Sequence, residues 1–356
     1  LLVLRTAGGP RRSVAVLLRD DEQFDQKSAT YQLTPVAKAL EIAGREDVPW
    51  VIALRKGTLR LYPGRDGVGV GQRGQSETFF ELDLDLLAPE QAALLTLIFS
   101  AEALDVDGSA QQILEGSGKY AADLGTRLRD RVYEGVVPRV ALALADQIPS
   151  LGLSYDASGL QTAYRLTMRI LFRLLFQAYG EATELLPAGR NVYYDANSLQ
   201  AFITREIGTS ADQFSTESAA IWSDLTQVWE VVFHGNSRWE VPAYGGSLFD
   251  PATEEGALLS RVKLTDSVIG PALQELLSEE TVDQAWGPVD FRSLQVREFG
   301  TIYEGLLESS LSLAEQDLTV DRNGAYVPAK DDDDVVAHSG RPYFHSASGE
   351  RTATGS

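Results

Sequence analysis

The spacing of the apolar residues changes close to residue 88, and this change limits the folds that are open to the chain. Before it, short apolar or alternating segments are typical of β-strands. These segments are residues 13–19, 50–54, 58–62 and 79–84. Residues 34–44 are typical of a helix, with Thr34 as its N-cap and Gly44 at its end. The sequence therefore predicts an α+β chain whose first domain, residues 1–88, is a partial α/β domain.

After residue 88 the apolar residues recur at helical spacing, which predicts a mainly helical second domain over residues 89–318. Residues 160–179 are apolar almost all round, as in a helix buried at the centre of a domain. Residues 120–147 form a long helical region with a break near Pro138. Further helices are predicted at residues 89–103, 198–207, 218–234, 260–277 and 293–313, and a polar, glycine-containing segment at residues 105–118. Residues 319–356 are expected to form a hairpin or a partly mobile linker.

The charge balance, 51 acidic against 31 basic residues, opposes strong binding of duplex DNA by this chain alone, because DNA-binding modules present a basic face. The absence of cysteine excludes disulfides, thiolate zinc sites and cysteine nucleophiles. The three histidines lack metal-ligand spacing, so no metal site is expected. The sequence begins with Leu1 and has no uncharged segment of membrane length. We therefore expect a cytoplasmic protein with no membrane partner, whose N-terminus lies upstream.

Three segments of the second half match known motifs in the same order. Residues 169–187 (RILFRLLFQAYGEATELLP) resemble a helical run that ends in an acidic residue and Leu-Leu-Pro. Residues 241–251 (VPAYGGSLFDP) resemble a Pro-x-Tyr-Asn-Gly-Gly-Leu-Phe loop. Residues 289–308 (VDFRSLQVREFGTIYEGLLE) resemble an Arg-Glu-Leu-Gly-Ser-Ile-Tyr-Glu-Gly-Leu-Leu signature, with Phe299 and Thr301 as departures. Together they resemble the region that joins the nuclease and methyltransferase parts of type IIG restriction–modification proteins and their phage-defence relatives.

Two further segments extend this resemblance. Residues 47–62 (DVPWVIALRKGTLRLY) resemble a strand and turn of the family's nuclease domain, and residues 352–356 (TATGS) resemble the lead-in to its S-adenosylmethionine-binding core. The resemblance implies that residues 1–88 are a degenerate restriction-nuclease-like domain, truncated at its N-terminus. Residues 89–318 would then be a helical connector, and residues 319–356 would lead into a methyltransferase domain outside the chain.

The resemblance also implies an activity for the parent protein: transfer of a methyl group from S-adenosylmethionine to adenine N6 in a specific DNA site. The chain has no Asn-Pro-Pro-Tyr motif to hold a flipped adenine, so its own part of that protein is expected to bind no cofactor. Mg²⁺ would be needed only if nuclease activity survives. The expected partners are double-stranded DNA, through the full-length parent, and the downstream methyltransferase domain. The alternative is a non-catalytic helical scaffold or interaction module of a phage-defence complex, which the acidic balance favours for the chain alone.

The positions that would carry nuclease chemistry hold unsuitable residues. The family's Glu and Lys, two apart on the strand before the helix, would align with Leu17 and Arg19. Leucine has no oxygen for a metal ion, and the pKa of arginine is too high for a general base. Four acidic residues follow closely and could offer metal oxygens, although such a run is more often an acidic loop in contact with solvent: Asp20, Asp21, Glu22 and Asp25.

Arg165, Arg169 and Arg173 recur every four residues and therefore lie along one side of a helix. One interpretation is contact with DNA phosphates. The other, which the acidic composition favours, is ion pairing with a neighbouring helix.

The signature helix at residues 289–308 is predicted to dock on the next domain. Six of its residues form the predicted docking set: Arg297, Phe299, Gly300, Tyr303, Glu304 and Gly305. The two glycines cost helix propensity of about 1 kcal/mol each relative to alanine. That cost indicates a close backbone approach, which we expect from a partner surface.

Overall fold

The structure is a computed structural model that describes residues 2–5, 9–28, 32–65, 78–206, 208–280, 286–294, 296–307, 309–322, 324–330 and 333–346. It contains both helices and a mixed sheet, so the predicted α+β class is confirmed. The chain divides into two compact units, Leu1–Tyr120 and Ala121–Ser356. We call them the sheet unit and the helical unit. The division lies inside one helix, Ser109–Arg131.

The sheet unit is built on five strands whose spatial order follows the chain. They are β1 (Leu2–Arg5), β2 (Arg11–Leu17), β3 (Trp50–Arg55), β4 (Thr58–Pro63) and β5 (Phe80–Asp83). β2 and β3 are parallel and the other pairs are antiparallel. Helix α1 (Pro35–Arg45) makes the crossover that a parallel pair requires. The four predicted strands and the predicted helix are confirmed, whereas β1 was not anticipated.

Both faces of this sheet are covered by helices. Alternate residues of β3 point to opposite faces, so Val51 packs beneath α1 while Trp50 packs on the other side. That second face is covered by buried residues from α2 (Ala93–Phe99) and from the start of α3 (Ser109–Arg131). The spacing of apolar residues predicted that the first domain ends at residue 88, but the sheet unit continues to Tyr120. The reason is that the apolar face around Trp50 must be covered, and the helices after residue 88 cover it.

The N-cap of α1 gives a first prediction. The Thr34 hydroxyl accepts a hydrogen bond from the backbone N–H of Ala37 at 3.0 Å. We expect Thr34→Ala to lower the free energy of unfolding of the sheet unit by about 1 kcal/mol, because a helix-end N–H loses its acceptor. Thr34→Ser keeps the hydroxyl and serves as the control in denaturant titrations. Equal stabilities of the two variants would contradict the assigned cap.

The helical unit packs around one long helix, α5 (Ala157–Ala182), whose inner residues are almost all buried. This confirms the predicted central helix. The other helices after α3 are α4 (Val137–Gln147), α6 (Val192–Asp195), α7 (Leu199–Glu206), α8 (Ala220–His234), α9 (Glu254–Leu259), α10 (Asp266–Leu277) and α11 (Val296–Leu307). The predicted break near Pro138 is a turn of π-helix, Val132–Val136, between α3 and α4. Proline has no N–H to donate to the preceding turn, so the helix widens there.

Three predicted boundaries are wrong. Residues 109–118 are helical, α10 begins only at Asp266, and the last helix ends at Leu307. After Leu307 the chain forms β8 (Ser309–Leu313), which pairs with β11 (Pro342–Ser346) and brings Phe344 into the core. The other described strands form two antiparallel pairs, β6 (Ser278–Glu280) with β7 (Trp286–Pro288) and β9 (Leu318–Val320) with β10 (Tyr326–Pro328). The second of these agrees with the hairpin alternative for residues 319–356.

Candidate functional site

A groove lined mainly by apolar side chains runs between α5 and α11. Its volume is about 780 Å³. Its main apolar walls are Tyr164, Met168 and Phe172 of α5 and Tyr303, Leu306 and Leu307 of α11. Ile302 and Leu306 fix α11 in the core, whereas Tyr303 is 46% exposed and Leu307 is 63% exposed. The helix therefore has one apolar face in the core and a second that solvent reaches, and exposed apolar groups of this kind mark interaction surfaces.

The other predicted docking residues lie in different surroundings. Phe299 is half-buried and packs edge-on against Tyr179, with ring centres 5.7 Å apart. Glu304 is exposed, and the space beside Gly300 is open. Arg297 lies outside the residues whose side chains the structure describes. Of the predicted docking set, Tyr303 is the residue that lines the groove.

Gly305 is approached closely from within the chain. A Cβ at this position would lie 1.8 Å from the Tyr133 hydroxyl oxygen and 2.6 Å from its ring. The expectation that a partner surface requires this glycine is therefore wrong: Tyr133 of the π-helical turn occupies that space. Because it has no side chain, Gly305 lets α11 pack closely against Tyr133 within the helical unit.

The three arginines of α5 differ in their surroundings. Arg165 and Arg169 approach the Glu255 carboxylate of α9 at 3.5 and 3.7 Å, as the ion-pairing interpretation predicted. Arg169 also donates to the backbone oxygens of Ser247 and Asp250, the latter at 3.1 Å. The buried Arg173 donates from Nε to the Leu248 oxygen at 2.9 Å. Phosphate contact by Arg169 and Arg173 does not fit these positions, since both guanidinium groups face into the protein.

The loop over residues 244–251 is held to α5 by these contacts. Gly245 and Gly246 have φ angles of 62° and 81°, in the left-handed region that glycine adopts without strain. The Tyr244 hydroxyl donates to the Leu185 oxygen at 2.6 Å, and Phe249 packs against Phe176. All three segments that carry the resemblance therefore meet on α5: residues 241–251 through this loop and residues 289–308 through Phe299.

A buried carboxylate, Glu181, organises the end of α5, and the sequence did not single it out. It accepts hydrogen bonds from the Tyr194 hydroxyl at 2.9 Å, from Gln177 at 3.0 Å, and from the backbone N–H groups of Leu199 and Gln200 at 3.0 Å each. The last two begin α7, so the carboxylate caps that helix. Burial raises the pKa of Glu181 despite these donors. An acidic residue at the end of an apolar helical run was the available signal.

The predicted nuclease positions and the two aspartates after β2 are not positioned to bind a metal ion together. Leu17 and Arg19 are both exposed. The Asp25 carboxylate pairs with Arg60 at 3.0 Å, and Asp20 is exposed. The solvated-loop interpretation is wrong for Glu22, which is buried and accepts from the backbone N–H of Arg19 and from the Ser28 hydroxyl at 3.1 Å each.

No group of three or more His, Asp or Glu side chains within the described residues is placed to hold a metal ion. The His345 ring nitrogen Nε2 lies 2.8 Å from the Ser312 hydroxyl across the β8–β11 pair. Across the described parts of the chain, no helix combines the length and apolar character needed to cross a membrane.

Comparison with models of known protein families found no match for this chain. A search of curated proteins found no match. A search of solved structures also found none. The function is therefore inferred from the sequence resemblance and from the geometry of this chain.

Proposed function

We propose that the chain is the front and connector portion of a type IIG restriction–modification DNA methyltransferase. Its parent would transfer the methyl group of S-adenosylmethionine to adenine N6 in a specific double-stranded DNA site. The observation that carries this proposal is the meeting of three segments on α5. Residues 169–187, 241–251 and 289–308 each resemble a family motif, and the second and third segments both contact the first in the fold.

The groove between α5 and α11 is the proposed docking site of the methyltransferase domain. The exposed Tyr303 and Leu307 belong to the helix with the strongest resemblance. Strand β8 contributes Ser309 and Leu311 to the groove, and its partner β11 ends at Ser346. The pairing of β11 with this wall of the groove supports the proposal that a following domain docks there.

The sheet unit is the proposed degenerate nuclease-like domain. Its parallel β2–α1–β3 arrangement is compatible with such a fold. Leu17 offers no oxygen to Mg²⁺, Arg19 is a poor base, and Asp25 is engaged by Arg60. These residues do not fit a nuclease metal, so we assign no cleavage step to this unit. Contact with DNA is assigned to other parts of the parent, in keeping with the net charge of −20.

The experiment expresses the complete reading frame that contains this chain in a methylation-deficient bacterial host and maps N6-methyladenine in the host DNA. We expect methylation of one recognition sequence above the vector control. Host DNA without N6-methyladenine would overturn the proposal and favour the second candidate, a non-catalytic scaffold of a phage-defence complex. That candidate is supported by the strongly acidic composition.

Variants of the groove test the docking site in the same assay. Tyr303→Asp with Leu307→Asp places two charges on the proposed interface, and we expect methylation to fall about tenfold or more, since each 1.4 kcal/mol of lost docking is a factor of ten. The control is Val192→Asp, because Val192 is 75% exposed and lies outside the groove. Equal methylation by both variants would contradict docking at the groove.

A further inference from the structure

A second cavity lies among α5, α8 and α9, away from the groove. Its volume is about 100 Å³. Among its lining residues are Arg173, Trp222, Thr226, Trp229, Glu230 and Phe249. The lining combines four Trp and Phe side chains with the Arg173 guanidinium and the Glu230 carboxylate, and it also includes the exposed His234. We call it the arginine cavity.

Arg173 is the unusual member of this cavity. It is 7% exposed, and no described carboxylate lies within 4.0 Å of its guanidinium nitrogens. Within the described chain its one hydrogen bond runs from Nε to the Leu248 oxygen, which leaves both terminal NH₂ groups without an acceptor. Burial and the charge of Arg169 lower the pKa of Arg173 to about 10, so the group still carries its charge at neutral pH.

Trp229 supplies a second buried donor. Its side chain is 2% exposed, and its indole N–H has no acceptor in the described parts of the structure. Trp222, the other indole of the cavity, donates to the Val262 oxygen at 2.9 Å. The exposed surface of this indole nitrogen is below 1 Å², so a ligand in the cavity would meet the ring of Trp229 and the terminal NH₂ groups of Arg173 rather than the indole N–H.

We propose that the arginine cavity is a binding site for a small organic carboxylate. The planar guanidinium presents paired N–H groups that match the two oxygens of a carboxylate. The guanidinium carbon lies 5.2 Å from the Trp229 ring centre and 5.5 Å from that of Phe249, so aromatic walls flank the charged group. Those walls suit a short apolar chain behind the carboxylate.

The lining also argues against a phosphate. A phosphate group carries up to two negative charges and more acceptor oxygens than one guanidinium can satisfy. The Thr226 and Ser260 hydroxyls of the lining already donate to backbone oxygens. Glu230 in the same lining adds a negative charge, which opposes a dianion more strongly than a monoanion. This site lies outside the proposed docking groove, and its test does not depend on methyltransferase activity.

The experiment titrates the ¹⁵N-labelled chain with sodium propionate and follows the five tryptophan indole N–H signals by NMR. Sodium chloride at equal ionic strength is the control, and Trp229→Phe assigns the signal. For a ligand of this size we expect saturable binding with a Kd on the order of 1 mM. The Trp229 indole signal should move with propionate and stay in place with chloride.

Two variants sharpen the test. Arg173→Lys keeps the charge but loses the paired N–H groups, and we expect affinity to fall about tenfold. Glu230→Gln removes a like charge and should tighten propionate binding about threefold, whereas Glu217→Gln, outside the lining, should not. The Glu230 variant keeps the proposal testable if the Arg173 variant fails to fold.

Three outcomes would overturn the proposal. The first is an indole signal that does not saturate with propionate, which would leave water as the occupant. The second is the same response to chloride or to inorganic phosphate, which would make the cavity a general anion site. The third is an affinity unchanged by both Arg173→Lys and Glu230→Gln.

Discussion

Replacing Gly305 by alanine lowers the free energy of unfolding of the helical unit by about 1–3 kcal/mol, the usual cost of overpacking a filled site. In a helix interior, alanine normally stabilises the fold by about 1 kcal/mol relative to glycine. Helix propensity alone would therefore predict a gain in stability, whereas we expect a loss. The reason is the Tyr133 hydroxyl, 1.8 Å from the new Cβ. Tryptophan fluorescence in a denaturant titration measures the effect, since of the five tryptophans only Trp50 lies in the sheet unit.

The matched control is Gly300→Ala in the same helix. Its Cβ would meet no atom within 4 Å, so we expect a gain of about 0.5–1 kcal/mol. Combining Gly305→Ala with Tyr133→Phe removes the nearest atom and should restore part of the loss. If both glycine variants shift stability by the same amount in the same direction, the contact between Gly305 and Tyr133 does not govern this helix.

Replacing Glu181 by alanine should destabilise the helical unit by about 3–5 kcal/mol, because several buried donors lose their acceptor at once. The affected groups are the Tyr194 hydroxyl and the N–H groups of Leu199 and Gln200. Glu184→Ala, three residues further on, is the control. Among the described residues its carboxylate pairs with Arg190 and Arg292 alone, and both ion pairs are exposed, so we expect a loss below about 1 kcal/mol. Similar losses for the two variants would refute the role given to Glu181.

The pH dependence of stability gives a second readout for Glu181. Burial raises the pKa of this carboxyl above its ordinary value of 4.5, so the folded state binds its proton more tightly than the unfolded state. That contribution is fully present below the ordinary value and is lost as the pH rises through the folded-state pKa. We expect the stability of the wild type relative to Glu181→Gln to fall as the pH rises above 4.5. A constant difference across this range would show that the carboxyl does not titrate differently on folding.

The elements that the sequence predicted are those whose signals are local. Thr34 marks the start of α1, the continuous apolar character of residues 160–179 marks α5, and Pro138 marks the π-helical break. The predicted end of α1 at Gly44 is wrong by one residue, since the helix continues to Arg45 and Glu46 is its C-cap. Each signal lies within the element itself. The spacing of the apolar residues and the identity of the capping residues were therefore sufficient to predict these elements.

The elements that were missed depend on distant residues. The start of α3 contains Gly116 and Gly118, which disfavour a helix, but Ala110 and Leu114 there help to cover Trp50 of the sheet. The residues of β8 were predicted to continue the preceding helix. They form a strand because β11, about thirty residues further along the chain, pairs with them. Tertiary contacts of this kind override local preference.

The candidate site was predicted only in part for the same reason. The sequence placed Tyr303 on a docking helix, but it could not show that Tyr133 faces Gly305. The docking assignment itself stays a prediction. The arginine stripe was visible from its spacing, whereas the lack of a carboxylate beside Arg173 depends on where α8 and α9 lie. The partners of Glu181 come from residues 194–200, which only the folded chain brings to it.

The pairing of β8 with β11 limits where a recombinant piece of this protein can be cut. A fragment that stops at residue 318, where the helical pattern ends, would keep β8 and lose its only described partner strand. The backbone groups of β8 would then form an open edge beside the exposed Leu307, and such edges recruit other chains. A fragment that extends through Ser346 keeps the edge covered, so the choice of endpoint should decide between a monodisperse sample and an aggregating one.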